Sequence, residues 1–268
     1  MLLKEQAKEI RKLVLKMVYD AQTSHVGAAL SIVDILTVLY AKILKIDLNN
    51  LDNYERDRFI LSKGHACTAL YATLAYNKII SEDYINNYCC DGGKLFGHPN
   101  SKITPGVEFS TGSLGHGLSI GAGMALAAKI DGNPCRTFVL LGDGECNEGQ
   151  IWEATMFSAQ HNLDNLNVII DHNKLQGFGK TEGIIDLKPF AAKWEAFGWT
   201  VKEINGHDYE EIEKTLSFIP IVKKKPTVII AHTIKGKGVS FMEDKLEWHY
   251  KSPRQEQYEL ALAEVEKL

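Results

Sequence analysis

The chain has no CxxC pair, and its cysteines are odd in number: Cys67, Cys89, Cys90, Cys135 and Cys146. This argues against a disulfide framework, and zinc sites use spaced pairs that adjacent Cys89 and Cys90, even with His98 nearby, do not supply. Unpaired, reduced cysteines suit a cytoplasmic protein. Long apolar runs are missing too; none approaches the ~20 residues that a membrane-spanning helix needs. The opening segment MLLKEQAKEIRKLVLKMVYD is charged throughout and has no uninterrupted apolar centre, so it is not read as a signal peptide. Its Ile10, Leu13, Val14, Met17 and Val18 follow helical spacing and predict an amphipathic helix of the fold.

An excess of one charge is likewise absent. Thirty Lys and Arg stand against 34 Asp and Glu, for a net charge of −4. Such a balance gives no overall attraction for nucleic acid or an anionic membrane. The dense basic run Lys223-Lys224-Lys225 sits just before an apolar segment and reads as a solvated connection. Several phosphate and metal signatures also fail. Asp143, Glu145 and Asn147 match a calcium loop loosely, but Glu148 stands where that loop needs glycine. Gly236-Lys237 is followed by Gly238 rather than Ser or Thr, so there is no Walker A motif. Gly115, Gly117, Gly121 and Gly123 do not form G-x-G-x-x-G after a strand. No internal repeat, low-complexity stretch or dividing linker is present.

What is present is an alternation of strand-like and helix-like segments. Hydrophobic residues make up 45% of the 268, enough for a sizeable core. Continuous β-branched and aliphatic runs predict strands at Arg58–Leu61, Thr137–Leu141, Asn167–Ile170 and Thr227–Ile230, with a weaker one at Trp199–Val201. Unbroken hydrophobicity is the pattern of parallel strands covered on both faces. Leu118–Ala128 and Gln150–Gln160 predict helices, the latter after an acidic start at Glu148. Asp208 and Glu211 have the spacing of a capping box, as do Ser31 and Asp34 more loosely, and Ser252-Pro253 before Gln255 marks a last helix. The expected fold is α/β: a doubly wound, mostly parallel sheet with helices on both faces, forming a single domain over residues 1–268.

Each strand runs into a polar or histidine-bearing tail: Ser62–His65, Gly142–Gly144, Asp171–Asn173, Gly206–Asp208 and His232–Gly236. In open α/β sheets ligands bind beyond the carboxyl ends of the strands, so these tails predict one site. In Gly142-Asp143-Gly144 a strand delivers an aspartate between glycines; Gly144 permits close approach, and the turn's N–H groups can receive phosphate. Asp143 and Asn173 are hard oxygen donors suited to Mg²⁺ or Ca²⁺ beside a diphosphate. Taken alone, Gly142-Asp143-Gly144 is better read as an Asp-Gly turn, with Asn173 as a local cap.

The segments SKGHA (62–66), GHP (97–99), PGVEFSTGSLGHG (105–117), GDGECNEGQIWEA (142–154), DHNK (171–174) and TIKGKG (233–238) resemble, in this order, the thiamine-diphosphate-binding half of transketolases. The likeness runs from about Ser24 to His249. It implies a thiamine-diphosphate-binding fold. Asp143 and Asn173 would bind Mg²⁺ by side chain and Leu175 by its carbonyl, with Ca²⁺ or Mn²⁺ as substitutes. Gly142 and Gly144 would sit at the diphosphate, the latter donating its N–H, and His65 and His249 would reach the diphosphate or the substrate beside it. Gly112 would meet the aminopyrimidine through its carbonyl, and Leu114 would pack on the cofactor. His25, His98 and His249 would line the ketose funnel as catalytic residues, and Lys63 and Lys235 would support the phosphate region. Ketol transfer moves protons at several hydroxyls near neutral pH, where an ordinary histidine titrates. His161, His172, His207 and His232 are read as surface or locally bonded.

Two positions depart from the family. Ser24-His25-Val26 replaces Gly-His-Pro, and His116 stands where transketolases usually have Gln but deoxyxylulose-phosphate synthases can carry a Gly-His. The resemblance leaves no segment for the pyrimidine-binding and C-terminal domains. It therefore implies a partner chain in a two-plus-two assembly that transfers a two-carbon ketol unit between sugars or sugar phosphates. The alternatives are a specialised transketolase-like or deoxyxylulose-phosphate-synthase-like subunit, and a non-catalytic cofactor-binding subunit.

Overall fold

A computed structural model describes residues 2–47 and 50–268. Five parallel strands, β1 (Arg58–Leu61), β2 (Thr137–Gly142), β3 (Leu166–His172), β4 (Thr200–Asn205) and β5 (Thr227–His232), form one sheet. Their order is β1-β2-β3-β5-β4, so the chain passes to the far edge before β5 inserts beside β3. All five expected strands are present. β4 was the faintest in sequence because it is an edge strand, with Lys202, Glu203 and Asn205 exposed.

Alternation along the strands feeds two cores. One face buries Phe59, Leu61, Phe138, Leu140, Ile169 and Ile229. It is covered by α1 (Leu3–Ala21), α2 (Val26–Leu30), α3 (Val33–Val38) and α4 (Cys67–Tyr76), while α5 (Glu82–Asn86) packs on α4. The other face buries Ile60, Val139, Leu141, Val168, Ile170 and Val228. It lies under α6 (His116–Ile130), α7 (Gly149–Gln160) and, beyond the short α8 (Thr181–Ile184), α9 (Phe190–Ala196). In α1 the expected stripe is real: Ile10, Val14, Met17 and Val18 are buried and Leu13 is partly so.

The start of α10 (Tyr209–Ser217) holds half of the expected capping box. Asp208 accepts from Glu210 N at 3.0 Å and Glu211 N at 3.1 Å, but Glu211 turns back to Asn205 N. The Ser31/Asp34 cap does not form. Ser31 closes α2, and Asp34 is buried in a bidentate pair with Arg11 at 2.9 and 2.7 Å. The last helix, α11 (Gln255–Glu266), begins two residues after Pro253, where Gln257 accepts from Arg254 N. Among the described residues no helix is long and apolar enough to cross a membrane.

Candidate active site

The carboxyl ends of β1, β2, β3 and β5 deliver polar tails to one edge of the sheet, and strand parity sorts their side chains. Ser62 turns toward the α6 side and Lys63 toward the α2 side; Asp171 shares the face of Ile169, whereas His172 reaches Phe190 on the opposite face. The fourth tail does not join the site. His207 donates from Nδ1 to Asp34 and accepts from Ile234 N at Nε2, at 2.8 and 2.9 Å, so it braces the loop after β5 from below.

Asp143 is 2% exposed and directly follows the last residue of β2. Its Oδ1 accepts from Gly144 N at 2.7 Å and its Oδ2 from Lys174 N at 2.6 Å. Asn173 Oδ1 accepts from the next amide, Leu175 N, at 3.0 Å. The two predicted ligands therefore grip successive peptides of one turn. Among the described residues Asp143 has no ion-pair partner. Burial, reinforced by the negative Asp171, pushes its carboxyl up to about 6. A divalent cation would supply the missing charge, and a carboxylate, an amide oxygen and a carbonyl are hard donors of the right kind. Leu175 O accepts from Lys235 Nζ at 3.2 Å, which leaves its second lone pair for a ligand. Among the described residues no group of three or more His, Cys, Asp or Glu side chains is placed to hold a metal.

Above this turn three histidine rings meet. His25 lies 5.2 Å from His65 and 4.9 Å from His249, and His65 lies 5.6 Å from His249, measured between ring centres. His25 thus joins the cluster although its neighbours differ from the family pattern. It immediately precedes α2 with φ 73°, and its N–H donates to His249 O. His98 lies over Gly112, where an added Cβ would stand 3.2 Å from its ring, and it is near enough to His25 to depress that residue's pKa.

Burial is the main cause that pushes His25 down to about 4 and His249 to about 3; His65 also falls well below its ordinary value. Lys235 and Lys63 add to each effect. These three rings are therefore uncharged near neutral pH, where an imidazole keeps one ring nitrogen able to accept a hydrogen bond. Lys235, 1% exposed, contacts His249 Nδ1 at 3.0 Å, and burial lowers it to about 8.

Leu114 is half-buried, and its carbonyl accepts from Gln150 and His116. Gly144 packs under Gln176, whose side chain would lie 2.6 Å from an added Cβ. Lys63 is 1% exposed and bonds to Asp171 and Ala28 O, below the turn rather than at its surface.

Two buried carboxylates escaped the sequence reading. Glu145 accepts from Ser62 Oγ and Gly115 N on one oxygen and from Gly142 N on the other. Asp171, fully buried, gathers Ser31, Lys63, Asn173 and Thr233. The available signal was parity: a charged residue in phase with the buried Ile169 must find partners inside.

Residues 3–261 match the family described as transketolase, thiamine diphosphate binding domain, and the chain belongs to that family. Over 260 residues it is 46% identical to a Phocaeicola vulgatus chain named as one of the subunits of an apulose-4-phosphate transketolase, a match that spans 97% of this chain and 92% of the relative. It is 43% identical to a 6-deoxy-6-sulfo-D-fructose transketolase subunit from a Clostridium species, over 99% of this chain and 96% of that one. Among solved structures it resembles the transketolase of Leishmania mexicana with TM-score 0.92 and 30% identity, over 99% of this chain and 41% of that one. The chain thus spans about two fifths of that single-chain enzyme but nearly the full length of the subunit relatives.

Proposed function

We propose that this chain is the N-terminal subunit of a two-chain transketolase, supplying the diphosphate-binding half of a site that transfers a two-carbon ketol unit between sugars or sugar phosphates. The observation that carries this reading is the near end-to-end match to chains named as transketolase subunits. In this reading residues 1–268 form one domain. The pyrimidine-binding and C-terminal domains lie on a partner chain in a two-plus-two cytoplasmic assembly.

Asp143, Asn173 and the Leu175 carbonyl would hold Mg²⁺, or Ca²⁺ or Mn²⁺ in its place, with Gly142 and Gly144 beside the diphosphate and Leu114 against the rings. Thiamine diphosphate, when bound, supplies the electron sink for the carbon–carbon chemistry. The chain's own groups do the rest. Gly112 would meet the aminopyrimidine's amino group through its carbonyl. Neutral His25, His98 and His249 accept and return protons at ketose hydroxyls, and His65 closes the cluster on the diphosphate side. Lys235 hydrogen-bonds His249 Nδ1, which leaves Nε2 as the ring nitrogen outside that contact.

A specialised donor is the second reading. It is favoured by the relatives, which are named for apulose 4-phosphate and 6-deoxy-6-sulfo-D-fructose. Titration of the assembled complex with thiamine diphosphate and Mg²⁺ tests the metal assignment. Asp143→Ala is expected to abolish binding and Asn173→Ala to weaken it less, whereas unchanged affinity in the Asp143 variant would reduce the motif to a turn.

A further inference from the structure

We propose that Asp171 is a positioning residue for the metal site: its buried carboxylate sets the orientation of the Asn173 amide. This rests on the reading of Asp143 and Asn173 as metal ligands.

An asparagine can serve a hard cation only through its oxygen, so the amide must face the right way. Asn173 Nδ2 donates to Asp171 Oδ2 at 2.8 Å, and Asn173 Oδ1 accepts from Leu175 N at 3.0 Å. A flipped amide would set its oxygen against the carboxylate and its NH₂ against a backbone N–H, so both contacts oppose the flip. The oriented oxygen sits on the turn whose neighbouring amide, Lys174 N, is held by Asp143 at 2.6 Å.

Asp171 is itself fixed. Its Oδ2 lies 2.5 Å from Lys63 Nζ and 2.7 Å from Ser31 Oγ, while Thr233 Oγ1 donates to Oδ1. These donors come from the ends of α2, β1 and β5, so three separate segments of the chain define where the carboxylate stands. A buried ion pair adds little net stability over a well-packed apolar pair, so stability alone does not account for this convergence. Hydrogen-bonded neighbours that orient metal ligands typically contribute about ten- to hundredfold to metal affinity.

The test uses the complex reconstituted with its partner chain and saturated with thiamine diphosphate. Free Mn²⁺ is followed by electron paramagnetic resonance during titration, and thermal unfolding is measured in parallel. In Asp171→Asn the residue can offer Asn173 either an oxygen or an NH₂, so the orientation is no longer imposed. The expected result is roughly ten- to hundredfold weaker Mn²⁺ binding. Ser31→Ala loosens the same carboxylate without releasing Asn173; it should lower the unfolding temperature and leave Mn²⁺ affinity within about threefold of wild type, well short of that range. Equal loss of affinity in both variants, or none in Asp171→Asn, would overturn the proposal. If Asp171→Asn fails to assemble, the double variant Asp171→Asn/Lys63→Met removes the stranded ammonium and is held to the same criterion. Asp143→Ala separates the two levels of inference. If it binds Mn²⁺ like wild type, the ligand assignment fails and this proposal with it; if only the Asp143 variant loses Mn²⁺, the positioning role alone is wrong.

Discussion

Glu145 accepts the Gly115 N–H at 2.8 Å, and through this one carboxylate the turn before α6 is tied to the end of β2. Both of its oxygens are used, by Ser62 Oγ and Gly115 N on one and by Gly142 N on the other, and no basic side chain pairs with it among the described residues. The expected consequence concerns Glu145→Gln. Glutamine has a single oxygen, so one backbone N–H must face an NH₂ group. Leaving one buried donor unpaired costs about 1–3 kcal/mol. Denaturant unfolding of the purified chain should show a loss in that range, and an unchanged midpoint would show that the carboxylate is not the tie.

Two glycines of α6 should respond oppositely to alanine. At Gly117 an added Cβ would stand 2.3 Å from Ser62 Oγ, whereas at Gly123 it would meet nothing within 4 Å. Gly117→Ala should destabilise by about 1–3 kcal/mol, the usual scale for overpacking. Gly123→Ala should stabilise by about 0.5–1 kcal/mol, because glycine is a poor residue in a helix interior. Thermal melts of the two variants check the contrast, which disappears if α6 does not press on the SKGHA loop.

The histidine cluster predicts a pH dependence with a definite sign. Folded His25 and His249 take up protons only near 4 and 3, while the unfolded chain does so near 6.5. Between those values the unfolded state binds more protons, so their contribution to stability falls as pH drops from 6.5 toward 4. Asp143, raised to about 6, acts in the opposite direction over part of that range. The informative quantity is therefore the difference between wild type and His249→Asn. Melts between pH 7 and pH 4 should show the variant losing less stability than wild type; parallel curves would mean that His249 is not buried uncharged.

Kinetics of the reconstituted complex should separate His65 from His98. His65→Ala is expected to raise the thiamine diphosphate requirement with the saturated rate comparatively intact, the pattern of lost ground-state binding. His98→Ala should leave cofactor affinity near normal and lower kcat or kcat/KM for ketose by about a hundredfold or more, the scale of a general acid or base. If both variants shift the same parameter equally, the two roles are not distinct.

Much of this was legible in the sequence, because unbroken apolar runs ending in polar tails mark parallel strands and the edge where they deliver function. Arg58–Leu61 was bounded by its hydrophobicity alone. The short helices α2 and α3 were not legible, since Val26–Val38 is buried on every side and its few polar residues, Ser31, Asp34 and Thr37, mark no solvent face. Ser31 and Asp34 show how spacing misleads. Three residues apart, they imitate a cap, yet tertiary partners claim both side chains, Asp171 for Ser31 and Arg11 for Asp34. The charge state of His65 and His249 was hidden for the same reason, because it depends first on burial and then on Lys235 and Lys63, all of which arise only in the folded chain.

The most direct test of the central claim is a ketol-transfer assay on the purified chain, alone and with the partner polypeptide that completes the site. The account predicts no turnover by the chain alone with any ketose donor at any concentration. Adding the partner should produce transfer that requires both Mg²⁺ and thiamine diphosphate. Robust turnover by this chain alone would contradict it.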